Sequence, residues 1–396
     1  MAPPTRQRHS HSIGKTNFSA YISNLKTQSY HEPIVSRVSN SHTFTTFFID
    51  SYIYNPLTFR IASSIILIWQ YSVNSMESIG DFDSHGSIGW DSQGVCAMFL
   101  IACPILVRHN AHLLSRWNPE KPKSIYSTEL NISSNKGHHR AGIEKVGFNP
   151  VKDAELCSVS NDGVVRFWDV RTKAIINEVK GLGEAFTLAW APDGERLIVG
   201  NKADNLYVLS PTQSTPISSH QQSVQTNQIS FCYGGEKIFV TTGEGRVKIL
   251  SFPEFEPVYY LSYDPSTPFT LNGHTSSCIT VELQPSVRFL ATGGSDSIIA
   301  LWDTTDWICQ RTLADMTGPV RSISFSFDGS YIVGGSDEGA GLEIIHTETG
   351  EQVHSVKTPG GHPCTIVSWH PSKYWLAYTD LGGLKILGVD ITGERK

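Results

Sequence analysis

Between Gly137 and Val389, short runs of alternating apolar and polar residues recur in a fixed order. A first run, such as AFTLAWAPDG or VRSISFSFDG, ends in a turn with Pro, Gly or Ser. A second, such as RLIVGN or YIVGGS, ends in a tight acidic turn, and a third, such as GVVRFWDV or IIALWDTT, follows. Period-two alternation, β-branched residues and Gly/Asp/Asn turns predict strands and hairpins, whereas helical periodicity is nearly absent. The turn acids Asp162, Asp204, Glu244, Asp296, Asp337 and Asp380 are separated by 42, 40, 52, 41 and 43 residues. A period of about 40–45 residues, with Gly-His early and Trp-Asp late, is that of a four-stranded propeller blade. One such blade cannot bury its faces alone, so the blades are expected to stack in a ring.

Six units are clear, and a seventh is expected upstream. There SRWNPEKPKSIYSTEL places Trp117-Asn118 where Trp-Asp should stand, with Ala111 at the position of the turn acid. The predicted fold is therefore all-β, a seven-bladed β-propeller over residues 85–393. Residues 1–84 have no repeat signal and are read as an irregular or disordered N-terminal extension, or as sequence outside the genuine coding region. The long interval between Glu244 and Asp296 comes from SYDPSTPFTLN (Ser262–Asn272), read either as a partner-binding loop or as a tolerated insertion. The run VCAMFLIACPILV (Val95–Val107) has 13 residues and contains Pro104. It falls short of the ~20 residues needed to span a bilayer, so it is read as buried strand or hairpin.

Two units carry a complete polar set in matching order: His138, Ser158, Asp162 and Trp168 in one, and His274, Thr292, Asp296 and Trp302 in the other. Here the chain resembles the WD-repeat family, and the resemblance implies an internal chain of hydrogen bonds from indole to hydroxyl to imidazole to carboxylate. Such satisfaction is what buried polar groups require. His, Ser and Asp also suggest a hydrolytic triad. The Ser or Thr lies mid-strand, however, with a Trp at fixed offset, which favours a structural role. His138, His139 and His274 have no partner ligands at zinc spacing.

The chain has 31 basic and 37 acidic side chains. Residues 1–60 hold six of the bases and two of the acids, leaving 25 bases against 35 acids downstream. A body of that sign has no evident attraction for nucleic-acid phosphate and suits protein partners. The seven scattered cysteines are read as reduced thiols of an intracellular protein. No catalytic motif appears. GLGEAF at Gly181 has Phe186 where a dinucleotide loop needs its third Gly, and there is no P-loop, GxSxG elbow or HExxH. No cofactor and no metal are expected.

Longer phrases resemble more closely the family of WD-repeat subunits of the THO complex. They include GIEKVGFNPVKDAELCSVSNDGVVRFWDVRTK, GSDSIIALWDTTDWICQRTL and WHPSKYWLAY, and the likeness runs from about Trp117 onward. It implies a non-enzymatic nuclear scaffold within the assembly for transcription-coupled mRNA export. It also implies binding to other THO subunits, indirect RNA association, and neither a membrane nor a small-molecule substrate. Candidate partner-binding positions near the blade turns are Arg140, Trp307, Arg321 and Tyr374. The alternative is a WD-repeat substrate receptor of a ubiquitin ligase, for which Arg171 after Trp168-Asp169 is the docking candidate.

Overall fold

The computed structural model describes residues 26–29, 87–90, 96–99, 114–117, 128–129, 139–258, 267–339, 341–358, 361, 363–380 and 383–388. Strand β1 (Lys26–Ser29) comes first in the chain. Blade I is β2 (Ser87–Trp90), β3 (Cys96–Phe99), β4 (Leu114–Trp117) and β5 (Thr128–Glu129). Blade II is β6 (Ile143–Phe148), β7 (Glu155–Ser160), β8 (Val165–Asp169) and β9 (Ala174–Val179). Blade III is β10 (Ala185–Trp190), β11 (Leu197–Asn201), β12 (Asn205–Leu209) and β13 (Ser218–Gln221). Blade IV is β14 (Thr226–Phe231), β15 (Lys237–Thr242), β16 (Arg246–Ser251) and β17 (Thr270–Asn272). Blade V is β18 (Cys278–Leu283), β19 (Phe289–Gly294), β20 (Ile299–Asp303) and β21 (Cys309–Leu313). Blade VI is β22 (Val320–Phe325), β23 (Tyr331–Ser336), β24 (Gly341–His346) and β25 (Gln352–Lys357). Blade VII is β26 (Val367–Trp369), β27 (Leu376–Asp380) and β28 (Gly383–Gly388), completed by β1.

Each blade is an antiparallel meander whose first strand is innermost. The inner strands β2, β6, β10, β14, β18, β22 and β26 neighbour one another in turn, and β26 returns to β2, so the ring is closed. The second strands β7, β11, β15, β19 and β23 are buried on both sides, which is why β19 and β23 read as continuous small and apolar runs. Between blades the side chains interdigitate. Cys157, Val159, Val165 and Phe167 of blade II pack against Leu182, Leu188, Leu197 and Val199 of blade III. In five inner strands the register shifts after the first residue, the bulge that bends a strand where it enters the ring.

Two features extend the sequence reading. Blade I has four strands although its sequence matches the repeat poorly. Its strands have four residues or two, too short for alternation to show. Within the stretch expected to be irregular, Lys26–Ser29 pairs antiparallel with β28, from Lys26↔Gly388 to Ser29↔Lys385. The ring is thus closed by a strand that precedes blade I in the sequence.

Because strands alternate in direction, each blade has two ends. The upper end carries the turns between second and third strands and the links from blade to blade. The lower end carries the turns between first and second, and between third and fourth, strands.

Candidate functional site

The polar sets lie at the upper end of blades II and V. In blade V the Trp302 indole N–H donates to Thr292 Oγ1 at 3.0 Å. Thr292 Oγ1 lies 2.8 Å from His274 Nε2, and His274 Nδ1 lies 3.0 Å from Asp296 Oδ1. The bond directions follow from the end groups. An indole only donates and a carboxylate only accepts, so the hydroxyl donates to Nε2 and Nδ1–H donates to the acid. Asp296 also accepts the backbone N–H groups of Thr275, at 2.9 Å, and Ile298. One carboxylate therefore fixes both the tight turn and the link entering the blade.

Blade II repeats this with one change of residue. The imidazole 2.8 Å from Ser158 Oγ, and 3.3 Å from Asp162 Oδ1, belongs to His139. His138, the residue expected from adjacency to Gly137, lies outside the described residues. The physical reason is position: His139 and His274 each stand four residues before their inner strand. Blade II has a second histidine directly after its Gly-His pair, so the pair by itself does not mark the bonded imidazole. The Trp168 indole donates to Ser158 Oγ at 2.8 Å, and Asp162 accepts the Arg140 N–H at 2.7 Å and the Val164 N–H at 3.0 Å.

Burial alone would raise the Asp162 carboxyl, but the His139 hydrogen bond and the Arg140 and Val164 amides hold it well below the ordinary carboxylate range. Asp296 is likewise opposed by burial yet lowered by His274 and the Thr275 and Ile298 amides. Both hydroxyls are fully buried and already engaged on both sides, so neither presents a nucleophile.

The other turn acids do different work. Asp204 accepts the Thr226 N–H, at 3.0 Å, where blade IV begins. Its own blade is pinned by Asn201, missed by the sequence reading, whose amide donates to Leu182 O at 2.7 Å while Oδ1 accepts two turn N–H groups. A signal was available: Asn ends the second strand where a hydroxyl or carboxylate would otherwise cap the turn. Glu244 is exposed, and the Thr242 hydroxyl instead donates to Arg246 O at 2.9 Å. Asp337 pairs with Arg321, Nε to Oδ2 at 2.6 Å. The Asp380 side chain lies outside the described residues.

The four candidate partner residues do not converge. Arg140 is exposed at the upper end. Trp307, at the lower end, is half-buried against Phe239 with ring centroids 5.6 Å apart. Arg321 is committed to Asp337 and lines a central cavity of about 500 Å³. Tyr374 is not available to a partner: it is 8% exposed, packs with Tyr331 and Trp369, and donates to Asp328 Oδ2 at 2.8 Å. The tyrosine reaches back onto the preceding blade, a contact between residues 46 apart. The central cavity is also lined by Lys145 and Glu282. Burial pushes the Lys145 ammonium down to about 8, against the opposing pull of the Glu282 carboxylate. Among the described residues no three His, Cys, Asp or Glu side chains converge as metal ligands.

This ring and its polar staples define a class, and the comparisons agree with it. The family described as WD domain, G-beta repeat, matches residues 265–303 and 307–340. The β-propeller domain of Cps50 (Swd1) from Myceliophteria thermophila superposes with a TM-score of 0.64 at 16% identity, over 81% of this chain and all of that one. The chain is a WD-repeat β-propeller. Among relatives, THO complex subunit 3 of Arabidopsis thaliana is 29% identical over 330 residues, which is 81% of this chain and 96% of that protein. WD repeat-containing protein AAC3 of Dictyostelium discoideum is 32% identical over 61% of this chain, which spans 48% of AAC3. More particularly, then, this is a WD-repeat protein resembling THO complex subunit 3. A match over 81% of 396 residues cannot fit between Trp117 and Lys396, so the likeness reaches upstream of Trp117.

Proposed function

We propose that the chain is a non-enzymatic scaffold subunit of a THO complex, acting in transcription-coupled mRNA processing and nuclear mRNA export. The observation that carries this reading is the likeness to THO complex subunit 3 over 96% of that protein's length. The chemistry supports it: the buried hydroxyls, imidazoles and carboxylates are spent on one another, holding a rigid ring whose turns are free to vary. The partners are other THO subunits, and RNA association is indirect. The rival reading, a substrate receptor of a ubiquitin ligase, draws on Arg171, whose side chain is 75% exposed and 3.4 Å from Asp169.

Affinity purification of the full chain from nuclear extract tests the choice. Co-purification of several THO subunits in stoichiometric amounts is expected. Recovery of a cullin adaptor, with loss of that association in Arg171→Ala, would establish the rival instead.

A further inference from the structure

The large hydrophobic side chains exposed among the described residues are Val151, Ile176, Ile217, Tyr233, Val287 and Ile308. Five lie in turns of the lower end, and Ile176 lies in the lower half of β9. Buried apolar surface is the main source of affinity between proteins, so this one-sided distribution singles out one face of the ring.

Within that face the sector of blades IV and V is continuous. Tyr233 Oη donates to Leu283 O at 3.1 Å, which lays its ring along the start of the turn bearing Val287. The Thr304 N–H donates to Arg288 O at 3.0 Å, joining that turn to the one carrying Trp307 and Ile308. Trp307 then leans on Phe239 of blade IV. The long connection after β16 emerges in the same sector, anchored by buried Phe252 and Phe255. Tyr233, Pro285, Phe327 and Pro371 line the lower part of the central cavity, so the apolar strip runs to its mouth.

The charge around this strip is mainly acidic, although the Arg196 guanidinium of blade III reaches its edge, 4.8 Å over the Phe252 ring. Glu236, Glu254, Glu256 and Asp306 are exposed there, and Asp303 is half-buried. The cations of these turns are Lys237 and Arg288, and Arg288 is engaged by Glu348 at 2.7 Å. At the lower end of blades II and III, by contrast, Lys152 pairs with Glu195, Arg171 with Asp169 and Arg196 with Asp193. Backbone geometry narrows the occupant further. The surface here consists of turns, whereas open strand edges lie on the outer circumference, so a partner cannot dock here by adding a strand. A helix satisfies its own backbone and needs only a matching stripe.

We propose that the lower end of blades IV and V docks a basic amphipathic helix of a protein partner. Its apolar stripe would lie on Tyr233, Val287, Trp307 and Ile308, and its Lys and Arg flanks would face Glu254, Glu256 and Asp306. This rests on the scaffold reading and adds the face used and the chemistry of the partner.

The test uses the full chain carrying a photo-crosslinking phenylalanine analogue at Ser286, at Thr305 or, as an upper-end control, at Glu184. After purification from nuclear extract and digestion, the attached peptides are sequenced. Ser286 and Thr305 should capture the same segment, with apolar residues at helical spacing and an excess of Lys and Arg, and Glu184 should not capture it. A synthetic copy of that segment should bind about tenfold or more weakly to Val287→Asp/Ile308→Asp and to Glu254→Lys/Glu256→Lys, with affinity falling as salt rises. An acidic or non-periodic segment, no attachment at either lower-end position, or unchanged binding by both variants would overturn the proposal. If THO subunits still co-purify in that case, the scaffold reading survives alone. If none co-purify with the unmodified chain, that reading is the one that fails.

Discussion

The Ser158 hydroxyl sits 2.8 Å from the Trp168 indole nitrogen, and that bond ties the third strand of blade II to its second across the middle of the sheet. The same oxygen is 2.8 Å from His139 Nε2, so one hydroxyl links the strands to the loop that enters the blade. Ser158→Ala leaves an indole N–H and an imidazole nitrogen buried without a partner. The expected cost is about 1–3 kcal/mol. For a ring of this size each kcal/mol lowers the thermal midpoint by about 2–4 °C. The double variant Ser158→Ala/Trp168→Phe should lose less than the sum of its parts, because both changes remove one bond. Strict additivity in urea denaturation would show that the bond contributes nothing.

His139→Ala should destabilise the protein clearly more than His138→Ala, since His139 holds both Ser158 and Asp162. Thermal midpoints of the two single variants decide it. A larger loss from His138 would mean that the register is one residue out.

Acid should weaken the ring through Asp162 and Asp296. Their folded carboxyls titrate below the unfolded value of about 4. The stability they supply is complete above the unfolded value and is lost as pH falls through the folded one. Asp162→Asn should therefore be less stable than the parent at pH 7, and the gap should narrow below about pH 4. Urea midpoints between pH 3 and pH 7 measure this, and a constant gap would contradict it.

Lys145 should titrate near 8, where ordinary lysines remain protonated. Reductive methylation with ¹³C followed by a pH titration reads the midpoint directly. Glu282→Gln, which removes the opposing carboxylate, should lower it further. A midpoint near 10 would mean that the cavity wall does not desolvate the amine.

The repeat was readable in the sequence because its signals are local. Asp162, Asp296, Trp168 and Trp302 fall at fixed offsets within single hairpins, and hairpin geometry allows few alternatives. What was missed depends on contacts across the chain. The choice between His138 and His139 is set by distance from β6, a strand boundary that residue types do not mark. Tyr374 reads as a surface aromatic in a turn, yet it folds onto Asp328 in the neighbouring blade. Arg321 reads as an isolated cation until Asp337 is brought beside it. Blade I and β1 were obscured because strands of two to four residues carry no periodicity.

The pairing of Lys26–Ser29 with β28 also has a consequence for biosynthesis. The ribosome makes one half of this seam before every other described strand of the ring and the other half after them. Until then the emerging blades stay an open arc, and the circle can snap shut only once β28 has left the exit tunnel.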